Sequence, residues 1–175
     1  MSSAGIGAAI GGAAAIAAVS TLGDFIWATW IAQHLPAYGL IHGTILFLCV
    51  GLFLGTLAKK PIPGALAGAV IGGSAAGSFY LLRPIAGRWM MLIAWVGVWV
   101  ALAALNEWLS FQRVGTRGAA ARSAVAAAAS GAAFYLISGI WRPFDPQGWD
   151  YLVHLGAWMV AYFPGFAALL VARPR

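Results

Sequence analysis

The sequence predicts an all-α, polytopic integral membrane protein. It reads as a single transmembrane domain over residues 1–175, with six helices in three pseudo-repeated hairpins and both termini in the cytoplasm. Three observations carry this reading. The chain is 62% hydrophobic and only 8% charged, where a soluble domain carries about 25% charged residues. Residues 1–23, 61–82, 89–106, 123–141 and 151–172 contain no Asp, Glu, Lys or Arg, and 25–58 is long enough to hold parts of two spans. A hydrocarbon core about 30 Å thick takes roughly 20 apolar residues as helix. A transmembrane barrel would alternate in segments of about ten residues, and these runs do not alternate. Finally, Pro36, Pro61, Pro63, Pro84, Pro143 and Pro146 fall between the apolar runs, where a missing N–H and a fixed φ do least harm.

The spans follow in order as 5–33, 38–58, 64–83, 87–110, 118–141 and 150–172. The N-terminal MSSAGIGAAIGGAAAIAAVS lacks the basic n-region of a signal peptide and reads as the first span. Pro164 lies inside the sixth span and predicts a kink. The third span ends SFYLLRP (78–84) and the fifth AFYLISGIWRP (133–143); each is preceded by Gly, Ala and Ser. The first has the same plan, small residues followed by DFIWATWIAQHLP (24–36), which suggests the repeat.

Orientation follows the Lys and Arg bias. With the N-terminus inside, Lys59, Lys60, Arg113, Arg117, Arg122, Arg173 and Arg175 are cytoplasmic, against Arg83, Arg88 and Arg142 outside. The net charge of +6 is thus explained by flanks of spans, and no basic patch suggests nucleic acid. Arginine and alanine enrichment is compatible with a high-GC bacterial genome, so the expected location is a bacterial inner membrane. Trp27, Trp30, Trp89, Trp141 and Trp149 form an outer aromatic belt.

Packing is expected to follow side-chain size. Gly64, Gly68 and Gly72, Gly73 and Gly77, and Gly7 and Gly11 recur every four residues, a pattern that lets membrane helices approach closely. On that basis spans one, three and five are expected to form the tightly packed inner set. The bulkier spans two, four and six, with Phe47, Phe53, Met90, Met91, Trp95, Trp99, Trp158 and Tyr162, would face the lipid bilayer or membrane-protein partners. The reverse arrangement places those aromatics around an internal cavity.

Polar chemistry is confined to a few positions. From Met1 to Ala58 the only acidic or basic side chain besides two histidines is Asp24. An ionisable residue inside a span is a site candidate because burying it in lipid is costly. Its repeat counterparts are Ser78 and Ala133, so the acid is not a general feature of the hairpin. It reads either as a ligand for a cation, proton or polar solute, or as an ion pair with Arg83, Arg88 or Arg142. His42 and His154 lie at similar depth inside the outer ends of spans two and six. They could be haem or chlorin ligands, a metal pair or a proton relay with Asp24, or bond to backbone or interfacial water. His34 reads as interfacial. Asp150 is placed to N-cap the last helix, Asp145 to favour a turn, and Glu107 to pair locally with Arg113, Arg117 or Arg122. Cys49 is the only cysteine, so neither a disulfide nor a thiolate cluster is expected.

No P-loop, HExxH, CxxC or GxSxG is present, no catalytic residue is assigned, and no motif requires a cofactor. Six Ala/Gly-rich spans in a chain of this size are similar in bulk to the substrate-binding components of vitamin importers, in size and composition alone. Three functions remain open. The first is a small-solute binding or transport protein, with Asp24, His42, Arg83, Arg88, Arg142 and His154 around an outward site. The second is a non-catalytic accessory subunit of a membrane complex. The third is a redox protein using His42 and His154.

Overall fold

In the computed structural model the described residues are 3–30, 36–87, 89–110, 116–138 and 148–170. They form six helices: α1 (Ser3–Trp30), α2 (Pro36–Leu57), α3 (Pro61–Ala86), α4 (Trp89–Ser110), α5 (Thr116–Ser138) and α6 (Asp150–Leu170). Each is long and apolar enough to cross a membrane. Several prolines expected between spans are instead helical. Pro36 and Pro61 are the first residues of α2 and α3, where the absent N–H would have been unsatisfied anyway. Pro84 lies in the last turn of α3, and α6 continues through Pro164 to Leu170.

The helices pack as a ring in chain order. Each touches its neighbours in sequence, and α1 closes the ring against α6. Within the described residues α1, α3 and α5 make no contact with one another, whereas α4 also touches α2 and α6. The expected inner set is therefore inverted. Bulky even helices fill the centre and small-residue odd helices form the outer wall. The largest fully buried side chains are Trp99, Tyr162, Phe166, Leu54, Leu102, Leu109, Leu169 and Val50, all from α2, α4 and α6. From α1 and α5 the completely buried positions are small, such as Ala9, Ala13, Ser20 and Ala127, while Ile16, Phe134 and Tyr135 are nearly so. The reason is volume. A ring of six helices leaves a hole that alanine and glycine cannot fill, and unfilled space forfeits dispersion contacts. Phe53, Trp99 and Phe166 meet edge to face, with ring centroids 5.3 Å and 5.4 Å apart for the two contacts with Phe166.

The glycines do permit close approach, but to an even helix. A Cβ at Gly68 would strike the Phe47 carbonyl and lie 2.8 Å from Gly51 Cα. Gly51, Gly55, Gly64 and Gly72 are in similar contact across the α2–α3 pair. By contrast, Gly7, Gly11 and Gly77 meet nothing within 4 Å. The α2–α3 turn is a Schellman closure: Lys60 N–H donates to Gly55 O (2.7 Å), Lys59 N–H donates to Thr56 O (3.1 Å), and Lys59 has φ 59°. Lys60 Nζ then donates to Leu109 O at 3.0 Å, satisfying a carbonyl at the end of α4.

At this end, which carries both chain termini, Glu107 makes no ion pair with Arg117 or Arg122, and its Oε1 is buried without a hydrogen bond among the described residues. Arg113 lies outside the described residues. At the far end, Trp30, Trp89 and Trp149 are exposed, as a belt requires, while Trp27 turns to line a cavity. Trp141, Asp145 and His34 lie outside the described residues. Asp150 is the first residue of α6 rather than its cap, where its charge favours the helix N-terminus.

The α2–α3 contact leaves no room for a side chain, whereas Gly77 faces open space. Gly68→Leu is expected to lower unfolding free energy in detergent by about 1–3 kcal/mol. Gly77→Ala should leave it unchanged or slightly raised. Equilibrium unfolding of the two variants checks the contrast.

Candidate functional site

The site begins with α1. Four residues after Ser20, one more turn along α1, the chain places Asp24 facing α6. Its Oδ2 accepts a hydrogen bond from Trp158 Nε1–H at 2.7 Å. The same oxygen lies 2.6 Å from His154 Nε2, which donates to it when that nitrogen bears the proton. His154 and Trp158 are one turn apart on α6, so both rings reach one carboxylate. One turn deeper, Ser20 Oγ and Tyr162 OH are 3.0 Å apart and buried. These three hydrogen bonds all cross the α1–α6 seam.

Burial divides the pair. The His154 side chain is only 7% exposed, while that of Asp24 is 33% exposed. Oδ1 of Asp24 accepts no hydrogen bond among the described residues, and Asp24 lines a cavity of about 570 Å³ in the far half of the bundle. Of the outer arginines expected as alternative partners, Arg83 makes no ion pair with the carboxylate, and Arg88 and Arg142 lie outside the described residues. Among the described residues its ionisable partner is His154.

All six helices contribute to the cavity wall. The even helices meet in the terminal half through Val50, Leu54, Trp99, Leu102, Phe166 and Leu169, so the cavity floor is dry and apolar. In the far half that bulk is absent. Phe79 and Tyr80 of α3 and Phe134 and Tyr135 of α5 line the opening, with Trp95 of α4 and Trp158 of α6 opposite. Phe134 and Trp158 stand 4.2 Å apart, and Trp158 stacks on Tyr162 at 5.5 Å. Trp95 Nε1–H is buried with no hydrogen-bond partner among the described residues. Such a dry donor costs about 1–3 kcal/mol if nothing meets it.

His42 lines the same cavity from α2. Its ring lies against Gly23, where any Cβ would collide with it. It stacks on Tyr38, with centroids 5.9 Å apart and planes 9° apart. Tyr38 OH in turn donates to Gly23 O at 2.6 Å. Glycine at 23 is thus needed for the histidine to sit beside Asp24 along α1. Arg83 lines the cavity at the far end of α3, exposed, with its guanidinium 5.9 Å from the Phe79 ring. Of the six residues expected around the site, Asp24, His42, Arg83 and His154 line one cavity; Arg88 and Arg142 lie outside the described residues.

Among the described residues no three His, Cys, Asp or Glu side chains come together as a metal site. Trp158, Tyr38 and Gly23 were not expected in the site. The even-helix aromatics four residues apart are visible in AWMVAY (157–162), and they were expected to face outward.

The fold and cavity define the class, a polytopic membrane protein with a half-buried carboxylate–imidazole pair beside an aromatic cavity. No protein-family model, no curated protein and no solved structure matches the chain.

The two α6 donors converge on one oxygen, so Asp24 and His154 are coupled energetically. A double-mutant cycle with Asp24→Ala and His154→Ala is expected to give a coupling of about 1–2 kcal/mol in unfolding free energy. Trp158→Phe alone should cost about 1 kcal/mol. Additive effects of the two alanine variants would contradict the pairing.

Proposed function

We propose that the protein binds or transports a small solute in the far-half cavity, with the termini cytoplasmic and the cavity open to the outer side of a bacterial inner membrane. The observation that carries this is a cavity of about 570 Å³ bordered by every helix and lined by the Asp24 carboxylate from within the first span. Ligand sites commonly enclose about 300–1,000 Å³, with mostly apolar and aromatic walls and a few placed polar groups. Asp24 supplies the charge, His42 and His154 the proton-accepting rings, and Trp95 N–H a donor awaiting an acceptor. The apolar floor supports access from one side at a time, as alternating access requires. The three-hairpin repeat suggested by the sequence agrees with this reading, since many transporters bind substrate where repeats meet.

The other two readings lose ground on the same geometry. Iron ligation by His154 competes with the bond from its Nε2 to Asp24. The accessory-subunit reading drew on aromatics expected at the surface of even helices, and Trp99, Tyr162 and Phe166 are consumed inside.

The test is a thermal-stability screen of the purified protein against a broad library of small metabolites. Ligands that bind the folded state raise the melting temperature by mass action. At least one compound should stabilise the native chain, and Ala94→Phe, which places a ring in the cavity, should abolish that response. Equal stabilisation of the filled variant would reject the cavity as the site.

A further inference from the structure

We infer that the solute taken at this site is an organic cation, a protonated amine on an apolar or aromatic body, exchanged against one proton held by the Asp24–His154 pair. This rests on the solute-binding reading above and specifies its ligand.

The charge balance of the cavity points this way. Among the described residues Asp24 is the only acid that lines it. The ionisable groups brought by the other helices are His42 from α2, Arg83 from α3 and His154 from α6, while α4 brings none. The remaining titratable groups are the hydroxyls of Tyr38, Tyr80, Tyr135 and Tyr162. Arg83 is exposed and rests over Phe79, and it makes no ion pair with Asp24. Among the described residues the carboxylate is therefore paired only with His154, which offsets its charge only while that ring is an imidazolium. With a neutral ring the pair carries one negative charge, and Oδ1 is open for a donor.

The walls discriminate between cations. A bare metal ion needs several oxygen ligands, and the wall offers one carboxylate among aromatic rings. Aromatic faces attract an ammonium group through their quadrupole and bury its hydrocarbon. Trp27, Trp95 and Trp158, each partly exposed, line the cavity with Asp24.

The exchange balances. With one proton between them the ring and the carboxylate are together neutral. As the ammonium donates to Asp24, the pair gives up one proton through the exposed carboxylate side. One positive charge enters and one leaves, so the net charge inside the bilayer is unchanged. Affinity for the cation then rises with pH, by up to about tenfold per unit while the pair is protonated.

The experiment is calorimetric titration of the full chain in lipid nanodiscs with three isosteres: 2-phenylethylammonium, 2-phenylethanol and phenylacetate. The ammonium is expected to bind at least about tenfold more tightly than the alcohol, and phenylacetate more weakly than either. Ammonium affinity should fall on acidification, with a proton released per cation bound. Asp24→Asn should remove the preference for ammonium over alcohol. His154→Gln, which keeps a donor but cannot ionise, should keep the preference and flatten the pH dependence.

Equal binding of alcohol and ammonium would overturn the inference and leave a neutral-solute cavity. Preference for phenylacetate would overturn it in favour of an anion held by Arg83. Absence of binding by all three would also overturn it, while the library screen still decides whether the cavity takes any solute. Should Asp24→Asn fail to fold, the isostere series and the pH dependence of the native chain remain decisive.

Discussion

The seam between the first and last helices is the constraint on which the rest depends. A ring of six helices in chain order has five junctions backed by chain connections, and the sixth must be made by side chains alone. Here α1 and α6 are joined by Asp24 to His154 and Trp158 and by Ser20 to Tyr162. In lipid there is no hydrophobic drive to hold two apolar helices together, so polar bonds and close packing carry the association. The same seam sets the charged centre beside the cavity. Closing the ring and building the site are one structural event.

The remaining architecture follows from the distribution of volume. Small residues on α1, α3 and α5 let the wall come close, most tightly where Gly68 meets Gly51 across α2 and α3. Large residues on α2, α4 and α6 occupy the middle. They do so fully in the terminal half, where Trp99 lies on Gly165 with ring atoms 2.5 Å from the position of a Cβ. In the far half the even helices also bring Gly39, Gly43, Ala94 and Ala161 to the interior, and the centre stays open. The cavity thus follows from side-chain size along the even helices.

The number of helices was legible in the sequence because uncharged runs mark them directly. Asp24 was legible for the same reason, as the lone carboxylate of the first 58 residues. The inward faces were not. In a soluble helix polarity tells inside from outside, but a span apolar on every side carries no such stripe. Glycine spacing correctly indicated close approach at Gly64, Gly68 and Gly72, yet could not name α2 as the partner. Taking close approach to mean a central position inverted the bundle, since the widest space needs the largest side chains. The partner of Asp24 was likewise out of reach. His154 is 130 residues away, and nothing local distinguishes it from His42. Arginine was the expected counter-charge because three were nearby in topology, but α6 presents His154 and Trp158 one turn apart to the carboxylate.

The account stands or falls on whether the Asp24 carboxylate meets the His154 ring in a bilayer. A solid-state NMR measurement of the dipolar coupling between the Asp24 carboxyl carbon and His154 Nε2, in protein reconstituted into lipid, tests this directly. Strong coupling, corresponding to the 2.6 Å contact between Oδ2 and Nε2, is the predicted result. Absence of measurable transfer between the two nuclei would contradict both the seam and the site built on it.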